Sequence, residues 1–303
     1  MSALIDMSLL PAPSVVALAD FEAILLARKA RLLALYSEAE RPSIALALAL
    51  ESEPIVKLLE ETAYTELLLR ARINDAARAV MLPWATGADL DNLAAFYDVP
   101  RLVITPADLE AIPPVPAVLE SDADFRRRVQ LAPAAMTNAG TRYSYLFHAL
   151  SASGDVKNAF VSNPVPGQVR VTLLSRTGDG TADGGLISTV YGRLTANDVR
   201  CLCDSVVVDS ATITPYTVEA TINVLPGPSP TAVLDAANAA LQATVADLHN
   251  LGRDITRSAL FAALHRPGAQ GVSLTEPAAD IAIDDDAAGY CTAITVTLGS
   301  VGL

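Results

Sequence analysis

Residues 52–82, SEPIVKLLEETAYTELLLRARINDAARAVML, decide how the first half of this chain is read. Ser52, Glu53 and Pro54 form a helix start: a short polar side chain can accept a free first-turn amide, and proline fits where the amide has no helical partner. From there to about Leu82 nothing interrupts a helix. Leu58, Leu59, Ala63, Leu67, Leu68, Leu69, Ile73, Ala76, Ala77 and Val80 cover far more of it than one stripe. At about 1.5 Å per residue such a helix is roughly 40 Å long. One small neighbour cannot cover that much apolar surface, so burial from several sides is expected, with other chains as candidate neighbours.

Outward from this segment the pattern stays helical. Between Ser14, read as an N-cap, and Tyr36, the residues Val15, Leu18, Ala19, Ile24, Leu25, Leu32 and Leu35 recur at helical spacing and predict an amphipathic partner helix. The alternation Ile44, Leu46, Leu48, Leu50 would fit a strand, but its alanines favour helix. Thr86 to Asp89 resembles a capping box for a short helix ending near Tyr97, with Gly87 at a tight corner and Leu90 and Leu93 packing back on the long helix. Pro100, Pro106, Pro113, Pro114 and Pro116 mark 98–120 as a stiff connector. Further helices follow, from Ser121-Asp122-Ala123-Asp124 through Leu131 and from Thr141 to about Ser151.

Beyond Gly154 the period changes to two. Residues 156–162 and 168–175 predict a hairpin around Asn163-Pro164-Val165-Pro166-Gly167, followed by a helix over 186–194 and strands over 205–214 and 216–225. Helices over 231–249 and 256–265, the first capped by Ser229, are followed by strands near 271–274, 280–283 and 293–298. The expected class is α+β: a helical first half, then small antiparallel sheets with helices on one face. The expected divisions are a helical bundle-forming region 1–97, a proline-rich connector with helices 98–153, a domain 154–225 of order ββα-ββ, and a C-terminal domain 226–303.

Composition narrows the function. The 303 residues are 51% apolar and only 18% charged, with a net charge of -13, and no basic stripe occurs. Nucleic-acid binding is not expected, because it requires clustered Lys and Arg to replace phosphate counterions. Cys201, Cys203 and Cys291 suggest no disulfide framework, and 1–14 lacks the basic and apolar regions of a secretory signal. The richest apolar stretch, 14–36, carries Asp20, Glu22, Arg28, Lys29 and Arg31, so no membrane span is expected.

Catalytic and metal motifs are not evident. His148, His249 and His265 lack second ligands at zinc spacing. The loop Gly178-Asp179-Gly180-Thr181-Ala182-Asp183-Gly184-Gly185 has no GKS or GKT ending for phosphate, and Val190 stands where a calcium loop needs glutamate. With Asp284, Asp285 and Asp286 it leaves a calcium-dependent binding module as the alternative to a structural role. No cofactor and no catalytic residue are expected.

Residues 66–93, ELLLRARINDAARAVMLPWATGADLDNL, together with 121–130, SDADFRRRVQ, closely resemble the baseplate J-like proteins. The likeness continues through 198–200, 206–220 and 256–264. It implies a structural subunit of the baseplate wedge of a contractile tail, located in the virion and assembled in the host cytoplasm. The implied partners are another copy of the chain, a smaller tail protein I-like protein, and neighbouring wedges and the hub. The residues expected at partner interfaces are Leu59, Leu67, Leu69, Arg70, Arg72, Ile73, Asn74, Ala77, Arg78 and Gly87, with Arg126 and Arg127. For the polar members two readings stand: a solvated helix edge, or groups desolvated in a bundle, where bidentate Arg bonds fix register between chains.

Overall fold

A computed structural model describes residues 5–17, 20–137, 140–227 and 229–301. The chain divides into two compact units, Met1–Pro100 and Arg101–Leu303.

The first unit is helical. A single 3-10 turn at Met7–Leu9 leads into irregular backbone, followed by α1 (Phe21–Ala34), α2 (Arg41–Leu48), α3 (Pro54–Ala79) and α4 (Gly87–Ala95). At 26 residues, α3 is about 39 Å long, and Pro54 occupies its first turn after Glu53. The alternating apolar run from Ile44 is helical through Leu48, as its alanines predict. The helix expected from Ser14 begins only at Phe21, and Leu18 and Ala19 lie outside the described residues. Its physical reason lies on α3. The Asn74 side chain accepts the amides of Val15 and Val16 at 3.0 Å and donates to the Val16 carbonyl at 2.8 Å, which holds these groups away from helical partners. Ile24 and Leu25 of α1 pack with Ala63 of α3, flanked by Phe21, Leu59 and Leu67.

The second unit is α+β. It opens with a hairpin of β1 (Val103–Thr105) and β2 (Val118–Leu119), continued by a bridge between Asp108 and Val115. This hairpin stands inside the segment expected to be a plain connector. Its prolines fall between the paired positions, where no ladder amide is needed. Next come α5 (Asp122–Ala135), capped by the Ser121 hydroxyl, and α6 (Arg142–Ala152), capped by Thr141. The buried Arg128 guanidinium donates to both oxygens of buried Glu120 at 2.6 and 2.8 Å and to Ser151 at 3.1 Å, joining the hairpin base to both helices.

Two three-stranded sheets complete the unit. β3 (Val156–Ser162) and β4 (Gln168–Ser175) form the expected antiparallel hairpin; after α7 (Gly184–Leu194), β5 (Ser205–Ser210) pairs parallel with β4. β6 (Thr212–Val224), α8 (Pro230–Leu248), α9 (Arg257–Leu264), β7 (Ala269–Glu276) and β8 (Ala287–Val301) follow, in the strand order β7-β6-β8. β6 is antiparallel to β7 and parallel to β8. The sheets are therefore mixed, and β6 shares the C-terminal sheet despite falling in the expected 154–225 block. The strand expected at 280–283 reduces to one bridge, Ile281 with Ile255. Residues of α8 spaced on one face, Val233, Ala237, Leu241 and Leu248, share a core with Val218, Ala220, Ile222 and Val224 of β6.

The sheets are fastened together. Leu174 of β4 packs with Ala211 and Ala288, and the Asn158 amide donates to Asn250. Gly180 lies so close to Leu174 and His249 that a Cβ there would approach both within 3.0 Å, and its φ of +98° already favours glycine.

Candidate assembly surface

The residues on α3 sort themselves by helical geometry. Val56, Leu59, Ala63, Leu67, Arg70 and Asn74 follow one another at three- and four-residue steps and so share one face. Leu59, Ala63 and Leu67 pack on α1, and Arg70 and Asn74 continue the same line to the segment before it. Leu58, Leu69, Ile73 and Val80 lie on one flank of the helix, with Tyr64 and Leu68 on the other. All six are exposed, Leu58 at 63% and Leu69 at 59%. A groove beside this flank is lined by Arg28, Glu61, Thr62, Thr65, Glu66 and Leu69.

Charge fixes the α1–α3 contact. Glu66 receives Arg70 from one turn on at 2.7 Å and Arg28 from α1 at 2.7 Å. These two guanidiniums, Arg70 first, hold the Glu66 carboxyl below its usual range. Arg70 also donates to the Ala17 carbonyl.

The expected interface residues therefore divide. Leu69 and Ile73 are exposed, as is Arg72, and Ala77 and Arg78 are half-buried, the latter 3.7 Å from Asp75. Leu59 and Leu67, both half-buried, pack on α1 of the same chain. Asn74 and Arg70 are hydrogen-bonded within the chain, Asn74 buried and Arg70 half-buried. The spacing held the missed signal, since position 74 continues the buried series. Gly87 sits at φ +52° with open space where a Cβ would stand. Backbone conformation, not a crowded corner, is what glycine provides there. Leu90 is buried and Leu93 half-buried.

In the second unit, Arg126 is half-buried, and Arg127 turns inward to donate to Asn158 at 2.9 Å. Burial lowers the Arg127 pKa, with Asp124 opposing the shift. Of the Asp-rich loop, Asp183 accepts the Leu186 amide to cap α7 and Asp179 accepts the Thr181 amide. Among the described residues no three His, Cys, Asp or Glu side chains converge on a metal position. No helix among them is long and apolar enough to cross a membrane.

Comparison with known proteins bears on the family of the chain. The model of the baseplate J-like N-terminal domain matches residues 51–108, and that of the baseplate J-like protein C-terminal domain matches 216–297. The baseplate protein J of Escherichia phage P2 is 47% identical over 296 residues, covering 98% of each chain. This chain belongs to the baseplate J-like family. It is a structural subunit of a phage tail baseplate. The N-terminal family match contains all of α3 and α4, so the exposed flank of this baseplate protein lies within a family domain.

Proposed function

We propose that this baseplate J-like protein is a wedge subunit. Its helical unit docks on helices of a second copy and of a smaller tail protein, and its α+β unit joins neighbouring wedges around the hub. The observation that carries this reading is the flank Leu58, Leu69, Ile73 and Val80, four large apolar side chains exposed to one side of the face that packs on α1. Large apolar side chains gathered on one exposed side of a helix suit an interaction site. Partner helices laid along it would bury these side chains at about 1.5–3 kcal/mol each.

Co-expression with the adjacent tail protein, followed by light scattering, tests the reading. The expected result is a stable complex lost in Leu69→Asp, because a buried unpaired charge costs several kcal/mol. A monodisperse monomer that ignores the tail protein, or a Leu69→Asp complex as stable as the parent, overturns it. Leu67→Asp is expected to damage the fold of the helical unit itself, since Leu67 packs on α1.

A further inference from the structure

A small cavity in the α+β unit is lined by the charged side chains Glu120, Asp124, Arg127, Arg128, Lys157 and Arg176. They are supplied by the residue after β2, by α5, by β3 and by the residue after β4. Between them stand Leu102, Leu150 and Val156, apolar walls that give a charge nothing in place of the water it has lost. Four of the charges are matched to one another. Arg128 and Glu120 form the buried pair already described, and Arg176 donates to Asp124 at 2.8 Å and to the Gly154 carbonyl at 2.9 Å.

Two cations are left over. Arg127 donates to the neutral side chain of Asn158 at 2.9 Å, and Lys157 reaches the Ala246 carbonyl at 3.5 Å, the limit of a weak bond. Among the described residues neither stands within ion-pair distance of a carboxylate. Both are half-buried. Burial is the first cause that lowers the pKa of each, and the Arg176 guanidinium adds to it at Lys157. Asp124 opposes the shift at both and Asp247 at Lys157, but these carboxylates are held by Arg176 at 2.8 Å and by Arg253 at 2.9 Å.

Charge and size together select an occupant. Cations drawn out of water without a counter-ion are costly; a water molecule in the cavity leaves both uncompensated, whereas one anion offsets them. The free space is about 10 Å³, room for a single group the size of a water. Phosphate, nucleotides and peptides are too large, and a monatomic anion remains. We infer that the cavity is an anion site that takes chloride, held by the guanidinium of Arg127 from α5 and the ammonium of Lys157 from β3. Arg127 already bonds Asn158 of β3, and the ion adds a charged link across the same seam between α5 and the β3-β4-β5 sheet. Asp124, turned to Arg176, is not a ligand, and its nearby charge keeps the affinity modest, in the millimolar range.

Chlorine NMR and thermal melting of the full chain test it, with sodium chloride as the probe and sodium methanesulfonate, whose anion is too large for the cavity, holding the ionic strength constant. The parent is expected to broaden the line of free chloride. Its α+β unit is expected to melt about 4–8 °C higher when chloride rises from about 1 to about 100 mM, the shift that millimolar binding to the folded state gives. Lys157→Gln and Arg127→Gln are each expected to lose most of both effects, and Lys157→Arg, which keeps the charge, to retain them. A parent whose melting and chlorine line do not respond to chloride overturns the inference. So does a full response in both glutamine variants, which would place the ion elsewhere. The line width of the parent needs no substitution, so a misfolded variant does not remove the test.

Discussion

The two units treat apolar side chains in opposite ways. Seventeen of the 29 exposed large apolar side chains among the described residues lie in the first 100 positions, yet only nine of the 50 buried apolar residues do. The α+β unit closes its own cores: Leu241, Ile255, Leu260 and Leu264 are fully enclosed between the β7-β6-β8 sheet and its helices. The helical unit leaves as much in water as it covers. The proposed docking of the helical unit would cover what that unit leaves exposed, whereas the α+β unit covers its own core.

The sharpest break of this comparison is Glu120→Ala. It strands the buried Arg128 charge and is expected to destabilise the α+β unit by about 3–5 kcal/mol in denaturant unfolding; an unchanged midpoint would mean that the pair is not what joins the hairpin to α5 and α6. Leu241→Ala comes next, at about 2–5 kcal/mol, seen as an earlier thermal transition of the same unit with the helical unit unaffected. Asn74→Ala is expected to remove about 1–3 kcal/mol from the helical unit alone and to raise exchange at the amides of Val15 and Val16.

A pH titration follows in size. Burial, with the Arg193 guanidinium beside it, pushes His148 from 6.5 down to about 4. An unfolded chain takes its proton near 6.5 and the folded chain only near 4, so the His148 contribution is complete above pH 6.5 and is lost as pH falls toward 4. The parent is therefore expected to lose more of its melting temperature between pH 7 and pH 5 than His148→Gln does. The smallest effect on stability is that of Leu69→Asp in the isolated chain, within about 0.5 kcal/mol as for other surface substitutions, although the same change is expected to abolish partner binding.

Much of the helical unit was legible in its sequence, because α3 and α4 depend on local spacing and start signals that Pro54 and Thr86 announce. The caps Ser121 and Thr141 and the β3–β4 hairpin were legible for the same reason. What escaped depends on distance along the chain. The parallel pairings of β4 with β5 and of β6 with β8 are chosen by tertiary packing, and a period of two marks a strand without naming its neighbour. The β1–β2 hairpin was hidden by its prolines, which occupy its unpaired positions. On the assembly surface, Leu69 and Ile73 were read as apolar and are exposed, but the direction in which Leu67, Arg70 and Asn74 face is set by where α1 and residues 15–17 lie. No local pattern states that.

The junction at Gly180 and His249 has a mechanical meaning. The β3-β4-β5 and β7-β6-β8 sheets meet through a glycine with no room for a methyl group, an amide pair and a small apolar cluster. Joints of this kind have little compliance, because close-packed groups resist compression and hydrogen-bonded ones resist shear. A junction so closely packed would pass a load from one sheet to the other with little give. Replacing Gly180 by a larger residue would insert a wedge between Leu174 and His249.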